Sequence, residues 1–218
     1  MFDNEQIATQ PVFLLFIAFS FFLTLVYFWG RKKNKALSLS VFNDITDVIK
    51  PDDQTFTNIG GAIGYHANFF IKKKSPISRV DVTVTFLPRH SLLYFPISKL
   101  IKRYDRLFIT LYLRHGPSEE GHLIEAKYDG FRRSKITNAH LLNREDVKWG
   151  NYKFYLYYKS VKMLDNFMKF MDSNPDPGVI RHIAIVPDQK KCFIFMIPRK
   201  EQVAKYLAPV YRWIPSVI

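Results

Sequence analysis

The sequence predicts an α+β architecture: one N-terminal transmembrane helix followed by a cytoplasmic domain with a mainly antiparallel sheet covered by helices. Three observations carry this reading. Residues Ile7 to Trp29 hold no charge, Arg79 to Leu87 alternates strictly between apolar and polar side chains, and strand-like segments outnumber helix-like ones without regular strand–helix alternation. The 23 uncharged residues cover roughly 34 Å at helical rise, slightly more than a hydrocarbon layer of roughly 30 Å, which suits one tilted crossing. Arg31, Lys32, Lys33 and Lys35 follow the apolar run, against Asp3 and Glu5 before it, so the positive-inside bias places the N-terminus outside. The resulting division is a short outside tail over 1–10, a transmembrane helix over 11–30, a basic juxtamembrane amphipathic helix over 31–50 and a cytoplasmic domain over 51–218. An acidic start, and aromatics running to the boundary, favour a retained anchor over a cleaved signal. Tyr27, Phe28 and Trp29 stand where an aromatic belt meets the headgroups.

Past the border, Leu37, Val41, Ile45 and Val48 or Ile49 share one helical face, and Pro51 ends that run. Asp52 to Gly64 reads as turn-rich, leading into a strand over His66 to Ile71 and a basic turn at Lys72, Lys73, Lys74, Ser75 and Pro76. Val80, Val82, Val84 and Phe86 oppose Arg79, Asp81, Thr83 and Thr85, the pattern of a half-buried antiparallel strand, which Pro88 ends. Ser91 to Arg103 is expected to be a helix interrupted at its start by Pro96, and Arg106 to Arg114 a strand. Gly116 to Gly121 is expected to make a hairpin to a strand over Leu123 to Tyr128. A polar connection from Asp129 to Gly150 then leads to a strand over Tyr152 to Tyr158 and a helix over Ser160 to Met171, with Leu164, Phe167, Met168 and Met171 on one face. Asn174 to Gly178 is a strong turn signal. Beyond it, Val179 to Val186 and Cys192 to Ile197 read as a hairpin around Asp188 and Gln189, and Arg199 to Trp213 as a closing helix with Pro209 inside it.

The net charge of +13, with 16% aromatic residues, argues for a folded domain with anionic partners: RNA phosphates, an acidic lipid leaflet or an acidic protein. The single cysteine, Cys192, excludes an intramolecular disulfide and reads as a buried apolar residue. Gly60, Gly61 and Gly64 lack the Gly-Lys-Ser/Thr ending of a phosphate loop and read as a flexible turn. His115 and His122 would face each other across the expected Gly116–Gly121 hairpin, but two ligands are too few for structural zinc. No cofactor, metal, small-molecule substrate or enzymatic activity is expected, because no hydrolase elbow, kinase signature or interpretable carboxylate pair occurs. The candidate binding residues are cations: Arg31, Lys32, Lys33 and Lys35; Lys72, Lys73 and Lys74; Lys102 and Arg103; and Arg132, Arg133 and Lys135.

Gly30 to Lys35, then Val41, Phe42 and Asn43 within a helix, then Phe56, Thr57, Asn58, Ile59 and Gly60, resemble the post-membrane segment of the calumin-like family. These are coiled-coil-containing endoplasmic reticulum proteins of the intramembrane chaperone complex. The strand at Val80 to Leu87 followed by Pro88 to Leu93, a helix and the strand around Leu107 to Leu113 resembles that family's cytosolic core. So do the strand and helix from Phe154 to Met171, and Phe193 to Ile197 before a final helix. The family's acidic lumenal region and C-terminal coiled coil have no counterpart in these residues. The resemblance implies a non-catalytic cofactor of multipass membrane protein insertion or folding, docked at the ribosome and translocon. Its expected partners are membrane lipids, integral membrane proteins and ribosomal RNA phosphates, in the endoplasmic reticulum of a eukaryote or the plasma membrane of a prokaryote. The alternatives are an accessory structural subunit of a large membrane complex, respiratory for example, and a basic lipid-binding tether.

Overall fold

Helix α1 (Pro11–Ile49) spans 39 residues, about 58 Å at helical rise. The computed structural model describes residues 10–72, 75–129, 136–137 and 139–218, so the expected outside tail lies almost wholly outside the described residues. Pro11 occupies the first helical position, where a missing N–H breaks no helical bond. At the other end, left-handed Lys50 donates its N–H to the Thr46 carbonyl. None of residues 11–29 is buried, and the helix is long and apolar enough to cross a membrane. From Gly30 onward one stripe turns inward: Gly30, Asn34, Ser38, Val41, Phe42, Ile45 and Ile49. The segment expected as a separate amphipathic helix is thus a continuation of the same helix, and its apolar face is part of the domain core.

Among the described residues, nine strands form one sheet in the order β1-β2-β3-β4-β9-β8-β5-β7-β6, antiparallel at every pairing. They are β1 (Asp53–Asn58), β2 (Gly64–Phe70), β3 (Ile77–Thr85), β4 (Arg106–Leu113), β5 (Gly121–Glu125), β6 (Asn143–Trp149), β7 (Tyr152–Tyr158), β8 (Ile180–Val186) and β9 (Lys191–Met196). The alternation read from Arg79 onward holds: Val80, Val82 and Val84 are buried and the residues between them half-buried.

Three expectations about the sheet need correction. Strand β1 lies inside the stretch expected to be turns, and β6 inside the expected polar connection. Among the described residues both are edge strands, paired on one side only, and they carry few apolar side chains, so the burial that produces a period-two pattern is weak or absent. Thirdly, β4 and β5 do not form a hairpin, because β4 pairs with β9 while β5 sits between β8 and β7. The glycines at 116 and 121 mark a bend, and a bend does not specify the neighbour. The β8–β9 hairpin is as expected, with Ile183 opposite Ile194 across a single turn at Pro187–Gln189.

The second half of α1, helix α3 (Val161–Ser173) and helix α4 (Val203–Trp213) cover one face of the sheet. Ser160 caps α3 by accepting the Met163 N–H. The buried face of α3 is Met163, Phe167, Phe170 and Met171; Met168, expected inward, is exposed. Helix α4 starts four residues later than expected, and its first turn is capped from α1. Asp44 Oδ2 accepts the N–H groups of Val203 at 2.8 Å and Ala204 at 3.2 Å, and Ser40 Oγ accepts that of Glu201 at 2.9 Å. A carboxylate there complements the positive end of the α4 dipole. Helix α2 (Tyr94–Lys102) stands apart, with Ser98 its only buried residue.

Phe167 is completely buried between the sheet and Trp213. Phe167→Ala is expected to lower unfolding free energy by about 3–5 kcal/mol. Chemical denaturation of the two proteins side by side checks this; a loss below about 1 kcal/mol would show that α3 does not close the core.

Candidate binding surfaces at the helix–domain junction and on the open sheet face

Where α1 leaves its exposed half, the loop after β3 lies directly on it. A Cβ built on Gly30 would fall 2.3 Å from the Arg89 carbonyl carbon and 2.4 Å from the His90 nitrogen, so only glycine permits this approach. One turn further, the Asn34 amide donates to the Ala62 and Leu87 carbonyls at 3.1 and 2.9 Å. Its oxygen accepts Arg89 Nη1 at 2.8 Å. Arg89 makes a two-pronged pair with Asp105, at 2.6 and 3.0 Å, and Asp105 also accepts the Leu87 N–H at 2.8 Å. Asn34 and Asp105 are buried, and the Arg89 side chain is 15% exposed. Three elements distant in sequence thus share one network shielded from water.

The expected cations are distributed around this junction unevenly. Arg31, Lys32, Lys33 and Lys35 are exposed and form a collar on α1. Lys102 and Arg103, at the end of α2, lie at the same end of the domain, since Arg103 is two residues from Asp105. Lys72 lies at the other end of β2, about 25 Å away by strand rise, and pairs with Asp52 at 2.9 Å. That carboxylate raises the proton affinity of the Lys72 amine above its ordinary value. Lys73, Lys74, Arg132, Arg133 and Lys135 lie outside the described residues. Tyr27, Phe28 and Trp29 are exposed; Arg31 donates to the Tyr27 hydroxyl at 3.0 Å, and the Lys33 ammonium stands 5.0 Å over the Trp29 ring.

The sheet face away from the helices carries aromatics that the sequence reading did not group. Phe108 stacks with Phe195 and Phe193 at 5.3 and 6.0 Å between centroids. Arg79 and Lys191 lie over Tyr112 at 4.1 and 5.0 Å, and Arg144 over Tyr155 at 3.8 Å. The register explains the grouping: alternate residues of β3, β4 and β9 point away from the helices, and partners such as Thr110 and Phe193 are directly opposite. Residues Ile136 and Leu142 of the segment before β6 cover part of this face.

On the same face, His122 and His182 are neighbours with ring centroids 5.6 Å apart, beside a 380 Å³ cavity. The expected meeting of His115 with His122 does not occur, because β4 and β5 are not adjacent. Glu120 holds His122 at 2.9 Å, whereas neither ring nitrogen of His182 has a hydrogen-bond partner among the described residues. Burial pushes both imidazoles below their ordinary value, His182 to about 3, with repulsion from His122 adding to the effect. Among the described residues, no group of three or more His, Cys, Asp or Glu side chains is arranged to hold a metal ion. Cys192 is buried, which raises its thiol well above the ordinary value.

No protein-family model matches this chain, and no curated protein matches it. The missed junction residues had one local signal, a polar Asn34 in line with the inward stripe of Val41, Ile45 and Ile49.

Asp105→Asn leaves Arg89 buried without its counter-charge and is expected to destabilise the domain by about 3–5 kcal/mol, read from the thermal midpoint. An unchanged midpoint would mean water reaches the pair. The histidines set a pH dependence. Unfolded imidazoles take up a proton near pH 6.5 whereas buried His182 resists until about 3, so stability is full above pH 6.5 and falls on acidification towards 3. The slope is up to about 1.4 kcal/mol per pH unit for each such group. Urea midpoints measured between these limits should fall less steeply for His182→Leu than for the parent.

Proposed function

We propose that this protein is a single-pass membrane protein whose C-terminal domain faces the cytoplasm. There it acts as a non-catalytic cofactor of multipass membrane protein insertion or folding, docked at the ribosome and the protein-conducting channel. The observation that carries this reading is the Asn34–Arg89–Asp105 network, which ties the domain to the end of the apolar helix segment with a glycine-tight contact. A cofactor that must present one surface to a bulky partner beside a channel needs that fixed attitude. A flexible linker would lose it.

The chemistry of the exposed surfaces supports an RNA partner. Half-buried aromatic rings flanked by Arg79, Arg144 and Lys191 offer stacking faces and cations together, the combination that binds unpaired bases and phosphates. The net charge of +13 favours encounter with an anionic particle. The sequence resemblance to the calumin-like family supports the same assignment. The basic collar after the apolar segment supports the orientation.

The test is co-sedimentation of the tagged, gently solubilised protein with ribosomes at low and moderately high salt, with identification of the co-purified proteins. Expected are association with the large subunit and channel components, weakening steeply with salt, and a loss of about tenfold or more when Lys72, Lys73 and Lys74 are all replaced by Glu. Absence of ribosomes, with stoichiometric recovery of another membrane assembly, would make the chain a structural subunit instead.

A further inference from the structure

Helix α2 carries an apolar face that the domain leaves uncovered. Leu93, Ile97, Leu100 and Ile101 are 73%, 53%, 79% and 72% exposed, and Tyr94 is exposed beside them. At 100° per residue these five fall within about 120° of arc, a continuous stripe. Lys99, Lys102 and Arg103 fall on the other side, and Ser98 faces the domain. A soluble domain of this size normally buries such a stripe.

The position of α2 identifies what covers it. The segment leading into the helix does not run away from α1 but back along its exposed apolar half. Leu92 and Leu93 line one groove with Leu23, Tyr27 and Phe28, and the His90 ring meets the Tyr27 ring edge-on at 5.7 Å. Leu23 precedes Gly30 by seven residues, so the start of α2 lies up to about 10 Å along the apolar segment from the basic collar. That matches the depth of roughly 5–10 Å at which amphipathic helices lie in the headgroup–acyl boundary. The apolar stripe of α2 is therefore continuous with the lipid-facing surface of α1, and its last cation, Arg103, precedes by two residues the Asp105 that Arg89 links to Asn34.

We propose that α2 is a second membrane contact: it lies in the interface beside α1, with Leu93, Ile97, Leu100 and Ile101 among acyl chains and Lys99, Lys102 and Arg103 towards anionic headgroups. The proposal rests on α1 being embedded in the bilayer, as inferred above, but not on any ribosomal partner. With α1 it gives the domain two points of attachment, which restrains its rotation about the α1 axis. Arg89 and Asp105 flank α2 in sequence and brace both ends of the segment against the domain.

The test uses the full chain carrying Cys192→Ala, reconstituted into vesicles of equal parts phosphatidylcholine and phosphatidylglycerol. A nitroxide is attached in turn at Leu100→Cys, Ile101→Cys, Lys99→Cys and, within α1, Phe21→Cys. All four sites are exposed, so the thermal midpoints should match the parent. Collision rates with oxygen, which concentrates in lipid, and with a water-soluble nickel complex are then compared. The oxygen-to-nickel ratio at positions 100 and 101 is expected to exceed that at 99 by about fivefold and to approach that at 21. Ratios at 100 and 101 equal to that at 99, with position 21 still oxygen-rich, would overturn the proposal while leaving the α1 anchor standing. Shielding of 100 and 101 from both reagents would also overturn it, by showing protein in place of lipid. A nickel-accessible position 21 would overturn the anchor and this proposal together.

Discussion

A buried pairing of opposite charges is the constraint on which this architecture turns. Arg89 and Asp105 meet at 2.6 Å with little solvent around them, and Asn34 supplies the remaining hydrogen bond from α1. Two ions removed from water are tolerable only when each finds its full set of partners, so the loop after β3, the start of β4 and one turn of α1 must arrive together. Hydrophobic contacts could have joined the helix to the sheet with many small displacements allowed. The ion network selects one register, and Gly30 allows the backbone to approach closely enough to complete it.

That single register has consequences at both ends of the helix. Towards the N-terminus, it holds the loop carrying His90, Leu92 and Leu93 alongside Leu23 and Tyr27 and so sets where α2 begins. Towards the C-terminus, it brings Ser40 and Asp44 under the unsatisfied amides of α4. The α1 helix is therefore both an apolar rod and a structural member of the sheet's helical layer. Motion of α1 as a rigid helix relative to the domain would have to break a charged network and a helix cap together.

The sheet divides the domain into a closed side and an open one. On the closed side three helices remove valine, isoleucine and leucine from water. On the open side Phe108, Phe193, Tyr112 and Tyr155 are only partly covered, and the two tyrosines have cations against their rings. Aromatic rings accept this intermediate exposure because their faces interact with cations as well as with apolar groups. His182 is buried there with no hydrogen-bond partner among the described residues, and it makes acid a destabilising agent for this half of the sheet.

Elements with a one-sided environment were legible in the residues themselves. The uncharged run before Gly30, the strict alternation through Val80, Val82 and Val84, and the apolar period of Val41, Ile45 and Ile49 each record a solvent boundary that local sequence must respect. The β8–β9 hairpin was legible for a related reason, since a tight turn dictates its own neighbours. Strand order was not. Whether Gly121 leads to β4 or to the slot between β8 and β7 depends on which long-range pairing buries the most apolar surface, and no window of residues contains that sum. The edge strands β1 and β6 were hidden because an exposed strand is under no burial constraint that would pattern it. Arg89 and Asp105 looked like ordinary polar residues until the fold placed them within hydrogen-bonding distance of Asn34 and each other. The helix after Ser91 was expected from the sequence, yet which of its sides faced a core or the outside was decided only by tertiary packing, which turned Ser98 inward and left Leu100 in the open.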